Sequence, residues 1–256
     1  HQQGQTEVAP PLAANAPFVG RNAEWQRLQQ IWRATLRGSP QFVLIAGEAG
    51  IGKSRLAEEL LHWAHHQGIA TARTRAYAAE GRLAYAPVME WLRSAAVRPH
   101  LRKVAPVWLT ELARLLPDLL TEWPALPRPE PVTQSWQRRH LFEALTRTLL
   151  ATGQPLVLLL DDLQWCDQET LAWLHFLLRF TEHARPADMP PARLLLIGTA
   201  RLPDEVPVDH PLQTLLTGLQ ESHQLTQLDL ARFTAAETTL LAHQMVSTAL
   251  QPHALT

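Results

Sequence analysis

Apolar residues recur at helical spacing over residues 22–37, where Trp25, Leu28, Ile31, Trp32 and Leu36 share one face. Asn22 stands where a cap is needed and Gly38 where a stop is needed. The period then changes. QFVLIA at 41–46 is a short continuous apolar run, which predicts a buried strand. A glycine-rich loop follows, then a helix from about Lys53 to His66 that Gly68 ends, then a second strand, IATARTRA at 69–76. LVLLL at 156–160 carries no polar alternation, the mark of a central parallel strand covered on both faces, and RLLLIGT at 193–199 reads the same way. QLTQLDL at 224–230 predicts a last strand, and helices are predicted over 134–151, 168–180 and 211–220. Thr234 and Glu237 have the spacing of a capping box that opens a final helix. Residues 82–131 read as a helical insertion (WLRSAAV, VWLTELARLL) that closes on Pro117, Pro124, Pro127, Pro129 and Pro131, a stretch that must be extended.

Strands alternating with helices predict a doubly wound α/β fold, whose ligands bind at the carboxyl ends of the strands. The domain boundaries expected from this pass are a linker over 1–17, an α/β domain over 18–230 and the start of a separate helical segment over 231–256. HQQGQTEVAPPLAANAP has neither the basic start nor the apolar segment of a signal peptide, and it does not begin with Met. The expectation is a segment of a longer protein.

The residues that follow the strands carry the chemistry. Strand 41–46 runs into Gly47-Glu48-Ala49-Gly50-Ile51-Gly52-Lys53-Ser54, a P-loop. Its glycines let the backbone wrap a phosphate with the N–H groups inward, and the next helix adds its positive end. Lys53 is expected on the β- and γ-phosphates and Ser54 on Mg²⁺. Strand 156–160 ends in Asp161-Asp162. A carboxylate there is the second anchor that the metal of a P-loop needs, so Asp161 is the Mg²⁺ candidate. Asp162 is the candidate for orienting or deprotonating water, set against a role as a helix cap that Asp162 or Asp167 could fill. Arg201, just past strand 193–199, either reports the γ-phosphate or pairs on the surface with Asp204 or Glu205. Phe18-Val19-Gly20-Arg21 is either one wall of an adenine pocket or a hydrophobic staple onto the first helix.

Composition narrows the classes. Of 256 residues 46% are apolar, enough for a core, and the formal net charge of −1 gives no whole-domain attraction to nucleic acid or an anionic membrane. The basic stretch Arg73, Arg75, Arg82, Arg93, Arg98, Arg102 and Lys103 reads as a solvated face, and no direct nucleic-acid contact is expected of it. Cys166 is the one cysteine, no Cys/His cluster has zinc spacing, and His62, His65 and His66 fall on a helix exterior. The expected compartment is the cytoplasm. No apolar run reaches the roughly 18 residues of a membrane span.

With these residues in place the chain resembles the signal-transduction ATPases with numerous domains, a branch of the AAA-related P-loop ATPases. It looks most like the ATPase module of large bacterial transcriptional regulators, of the LuxR type or carrying a bacterial transcriptional activator domain. The resemblance rests on FVGR at 18–21, GEAGIGKSRL at 47–56, YAPVMEWLR at 85–93, LVLLLDDLQWCD at 156–167 and LLLIGTAR at 194–201. It implies a five-stranded sheet of order 5-1-4-3-2 and a nucleotide set of Val19, Gly20, Gly47, Glu48, Ala49, Gly50, Ile51, Gly52, Lys53, Ser54 and Arg55. It places Val19 and Gly20 against adenine, Mg²⁺ on Ser54 and Asp161, and catalysis on Asp162, Lys53 and Arg201. The implied cofactors are ATP and Mg²⁺, and the implied partners are ATP or ADP and other domains of the same chain, DNA-binding and repeat sensor domains among them; the resemblance also allows ATP-dependent self-association. The implied function is an ATP-driven switch with slow hydrolysis. Many hydrolysing relatives carry Asp-Glu where this chain has Asp161-Asp162, and the shorter acid reaches less far. The competing readings are a scaffold that binds nucleotide without hydrolysing it, and an AAA-type DNA replication or remodelling ATPase.

Overall fold

Aliphatic runs with no polar alternation become the centre of one sheet. The computed structural model describes residues 20–78, 83–131, 135–184, 191–201, 206–207 and 209–249. Its five strands are β1 (Gln41–Ala46), β2 (Ala70–Arg75), β3 (Leu156–Asp161), β4 (Leu194–Ala200) and β5 (Leu225–Asp229). All pair in parallel, in the order β2-β3-β4-β1-β5. Read from the other edge this is 5-1-4-3-2, the expected order. The three inner strands β3, β4 and β1 are the apolar ones; β3 and β4 are buried throughout, β1 at every position after Gln41. The edge strands β2 and β5 carry the polar residues.

Strand periodicity sends alternate side chains to opposite faces. Phe42, Leu44, Leu156, Leu158, Leu160, Leu194 and Leu196 join one core cluster. Helices α3 (Ala86–Arg93), α4 (Pro106–Leu112), α6 (Ser135–Leu150), α7 (Gln168–Arg179) and α8 (Pro211–Glu221) contribute to that same cluster. Val43, Ile45, Val157, Leu159, Leu195 and Ile197 are buried on the other face. Helix α2 (Lys53–His66) packs on β1 to β4, and Trp63 of α2 meets Trp25 of α1 (Asn22–Thr35) edge to face at 6.2 Å. A sheet clad on both faces leaves its strand ends as the place for polar chemistry.

The expected insertion is helical in pieces: α3, a 3₁₀ turn over Arg98–Lys103, α4 and the short α5 (Leu119–Glu122). It is tied to the sheet by Trp91, whose Nε1 donates to the Leu159 carbonyl at 3.3 Å, and by Thr74 of β2, which donates to Glu90. Several of the basic residues are paired with acids: Arg73 with Glu58 at 2.7 Å, Arg98 with Asp118 and Glu122 at 2.8 and 2.5 Å. Arg82 lies outside the described residues.

The chain divides into two units, Ala23–Ala231, which holds the sheet, and His1–Asn22 with Arg232–Thr256. In the second unit the described residues include Gly20, Arg21 and the last helix, α9 (Ala235–Ala249). The expected capping box is formed: Thr234 N donates to Glu237 Oε2 at 2.8 Å and Glu237 N to Thr234 Oγ1 at 3.3 Å. These bonds from the Thr234 backbone and hydroxyl hold the Glu237 carboxyl below the usual carboxylate range. The Arg21 guanidinium lies over the Phe233 ring, 4.5 Å from its centroid.

Candidate nucleotide site

The glycine loop is built from the end of β1 to the start of α2. Gly52, immediately before α2, has φ +101°, a left-handed conformation that side chains rarely adopt. Around it Glu48, Ala49 and Gly50 are exposed, Ile51 is half-buried, and Gly47 packs against Ile51 and Leu230. Lys53 is buried, and its Nζ donates to the carbonyls of Gly47 and Glu48, both at 2.9 Å. That folds the ammonium back over the loop instead of sending it to solvent. Ser54 and Arg55 are half-buried, and Arg55 pairs with Glu59 one turn on at 3.0 Å.

Asp161 is the last residue of β3 and is 2% exposed. A carboxylate buried this far must be satisfied. Ser54 Oγ donates to its Oδ1 at 2.8 Å, and Thr199 Oγ1 donates to the same oxygen at 2.5 Å. The two residues assigned to Mg²⁺ from the sequence, 107 positions apart, are therefore in direct contact. A hydroxyl and a carboxylate are hard oxygen donors, and Mg²⁺ in such sites takes one or two protein oxygens with phosphate and water completing its shell. The donor set fits that ion. Among the described residues no group of three His, Cys, Asp or Glu side chains could hold another metal; His62, His65 and His66 are exposed along α2.

Asp162 follows β3 in a left-handed conformation, φ +61°. Its N–H donates to Thr199 Oγ1 at 2.9 Å, and its carboxylate is held from two sides. Arg75, at the end of β2, donates to Oδ2 at 2.8 Å, and the Gln164 amide donates to Oδ1 at 3.0 Å. Burial works to lower the Arg75 pKa, but the hydrogen bond and charge of Asp162 outweigh it and raise it. The capping alternative for Asp162 is not what the chain adopts. Asp167 caps α7, its carboxylate accepting from Thr170 N at 2.8 Å. Asp167 also accepts the Tyr85 N–H at 3.1 Å, while Tyr85 Oη donates to Glu169 at 2.9 Å, so the YAPV turn is tied to the segment after β3. Burial, followed by Asp167, pushes the Cys166 thiol up and leaves it protonated.

Arg201 is exposed directly after β4 and lines a cleft of about 420 Å³ with Gln164, Trp165 and His210. Among the described residues it makes no ion pair. Asp204 and Glu205, its surface alternatives, lie outside those residues, as do Phe18 and Val19. Gly20 is described at φ +69°, and a Cβ there would meet Glu237 and Phe233 at 3.1 Å.

Three polar residues of this site were not singled out from the sequence: Thr199, Arg75 and Gln164. Thr199 had a signal. It is a lone hydroxyl in LLLIGTA, and a buried strand gives such a group no water to bond. Arg75 gave none, because its role depends on the pairing of β2 with β3, and Gln164 gave none, because its role depends on the conformation of the turn that returns it to Asp162 two residues back.

This geometry has known counterparts. The AAA ATPase domain family matches residues 17–197. The chain belongs to that family. A 44-residue stretch, 17% of the chain, is 46% identical to an uncharacterized protein of Rhizobium meliloti (strain 1021), of which it covers 4%. Among solved structures, CDC6P from Pyrobaculum aerophilum is similar at 14% identity and TM-score 0.56, over 93% of this chain and 52% of that one. The ORC2 protein of Aeropyrum pernix, in ADPNP–ADP complexes, is similar at 20% identity and TM-score 0.48, over 89% of this chain and 51% of that one. The chain thus spans about half the length of these structures. The likeness to CDC6P is one of fold, the five-stranded α/β architecture of P-loop NTPases. Among the described residues no helix is long and apolar enough to cross a membrane.

Proposed function

We propose that this AAA ATPase domain is the ATP-binding switch module, slow in hydrolysis, of a multidomain bacterial signal-transduction or transcriptional regulator. One observation carries the nucleotide part: Ser54 Oγ meets the buried Asp161 carboxylate at 2.8 Å beside a lysine folded over its own glycine loop. In this reading Gly47 to Gly52 wrap the phosphates, Lys53 neutralises the β- and γ-phosphates, and Ser54 and Asp161 would hold Mg²⁺, which would supply positive charge to offset that of the phosphates. Asp162 positions water, Arg201 reads the γ-phosphate, and Val19 and Gly20 border the adenine. Residues 18–230 form the ATPase domain and 231–256 open a lid. The regulator setting is supported by the FVGR, DDLQWCD and GTAR segments. Slow turnover is supported by the tie of Asp162 to Arg75 and Gln164, which occupies both carboxylate oxygens.

Calorimetry with Mg²⁺ and ATP on the wild type and Lys53→Ala tests the assignment. The variant is expected to lose about ten- to a hundredfold in affinity, the worth of a charge-assisted contact. Equal affinity in the two proteins sinks it. A replication ATPase shares this fold, and fold does not select function; DNA-stimulated turnover of the intact protein in place of a nucleotide-dependent transcriptional response would favour that reading.

A further inference from the structure

Away from the glycine loop, α6 and α7 leave a groove of about 530 Å³ between them. That volume falls within the range of small-molecule sites, roughly 300–1,000 Å³. Both walls repeat at helical spacing: Arg138, Arg139 and Phe142 from α6, and His175, Phe176 and Arg179 from α7. The floor is aromatic and continuous. The Phe142 and Phe176 rings are 5.6 Å apart, and Phe176 stacks on Phe180 at 5.7 Å with 28° between planes. The rim is cationic. Arg138 lies over Phe142 at 4.9 Å and is paired with Glu169, but Arg139 and Arg179 are exposed and make no ion pair among the described residues. Burial and then Arg179 hold His175 below the usual histidine range, against the opposing pull of Glu221 on α8. The groove thus keeps a neutral imidazole beside a surplus of positive charge.

An inorganic anion would leave the half-buried Phe176 and the apolar floor around it uncovered, and a neutral apolar molecule would leave the guanidinium rim unused. The two features together select a ligand with both parts. We propose that this groove binds a small amphipathic organic acid, its apolar body on the Phe142–Phe176–Phe180 floor and its acid group on the Arg139 and Arg179 rim. Neither feature has a part in the nucleotide site.

The test titrates the whole chain with 8-anilinonaphthalene-1-sulfonate and with N-phenyl-1-naphthylamine, the same aromatic body without the sulfonate. The anionic probe is expected to saturate one site and to bind at least roughly tenfold tighter than the neutral one. Arg139→Ala and Arg179→Ala, both at exposed positions, should each weaken it by roughly three- to tenfold, a loss that shrinks as salt is raised. Ala172→Trp, which fills the groove from α7, should abolish it while the circular dichroism spectrum stays unchanged. Saturating ATP should leave the probe in place. Equal binding of the two probes, unchanged affinity in the arginine variants, or displacement of the anionic probe by ATP would overturn the proposal.

Discussion

At the scale of single residues, the site is a contest over two carboxylates. Asp161 is buried and its Oδ1 is met by the Ser54 and Thr199 hydroxyls, which fixes it in place without neutralising it. Asp162, one residue on, is half-buried and pinned to a guanidinium. A carboxylate with both oxygens held by neighbouring donors is less free to turn toward a water molecule. If Asp162 positions the attacking water, Arg75 sets how readily it can do so. Arg75→Ala is expected to raise single-turnover hydrolysis several-fold with ATP affinity unchanged, and Asp162→Asn to abolish hydrolysis with affinity again unchanged. Radiolabelled phosphate release on both variants checks this. Turnover in Asp162→Asn at the wild-type rate would remove Asp162 from catalysis, and no phosphate release from either protein would assign the chain to non-hydrolysing scaffolds. The sequence made the glycine loop and both aspartates legible, since each lies next to a strand and needs no partner to be recognised. Arg75 was legible only as part of a basic stretch. What makes it a site residue is the parallel register that sets Arg75 opposite Asp161, and register is a property of two strands.

At the scale of elements, β4 shows why a fully buried strand contains Gly198-Thr199. The 3₁₀ turn after Asp162 (Leu163–Trp165) folds back over β4, and Leu163 is fully buried there. A Cβ on Gly198 would lie 2.2 Å from Leu163 Cδ1 and 2.9 Å from Phe42 Cζ. The glycine is therefore a matter of space, not of backbone freedom. Gly198→Ala must push Leu163 outward and carry Asp162 with it. Its cost is expected at about 1–3 kcal/mol, the usual range for overpacking, with a further loss of hydrolysis. Urea unfolding measures the first, and a midpoint equal to the wild type would show that the turn gives way freely. The elements themselves were legible from periodicity: β1 and α2 span the residues expected, and the other strands differ by a residue or so at each end. The insertion was less so. Its 50 residues break into short pieces whose order depends on Trp91, Val97, Leu101 and Leu112 reaching one core, a long-range fact that a local pattern does not hold.

At the scale of the whole molecule, a nucleotide switch requires that ATP and ADP stabilise different states, because a ligand shifts an equilibrium only by its differential affinity. In the proposed reading Arg201 creates that difference. It sits past the end of β4, the strand between β1, which feeds the glycine loop, and β3, which ends in Asp161. A guanidinium there gains a charge-assisted contact with the third phosphate and loses it on hydrolysis. The contact should favour ATP over ADP by roughly 1.5–3 kcal/mol, the range for a hydrogen bond to a charged group. Binding to the native state raises stability by RT ln(1 + [L]/Kd), about 2.7 kcal/mol at a hundred times Kd. For a chain of this size about 1 kcal/mol moves the melting temperature by roughly 2–4 °C. With Mg²⁺ and both nucleotides at one fixed concentration, ATP is expected to raise the melting temperature of the wild type by several degrees more than ADP. In Arg201→Ala the two shifts should converge on the ADP value. An Arg201 engaged only with neighbouring surface acids would leave the gap between ATP and ADP as wide in the variant as in the wild type, and that outcome would remove the sensor from the mechanism.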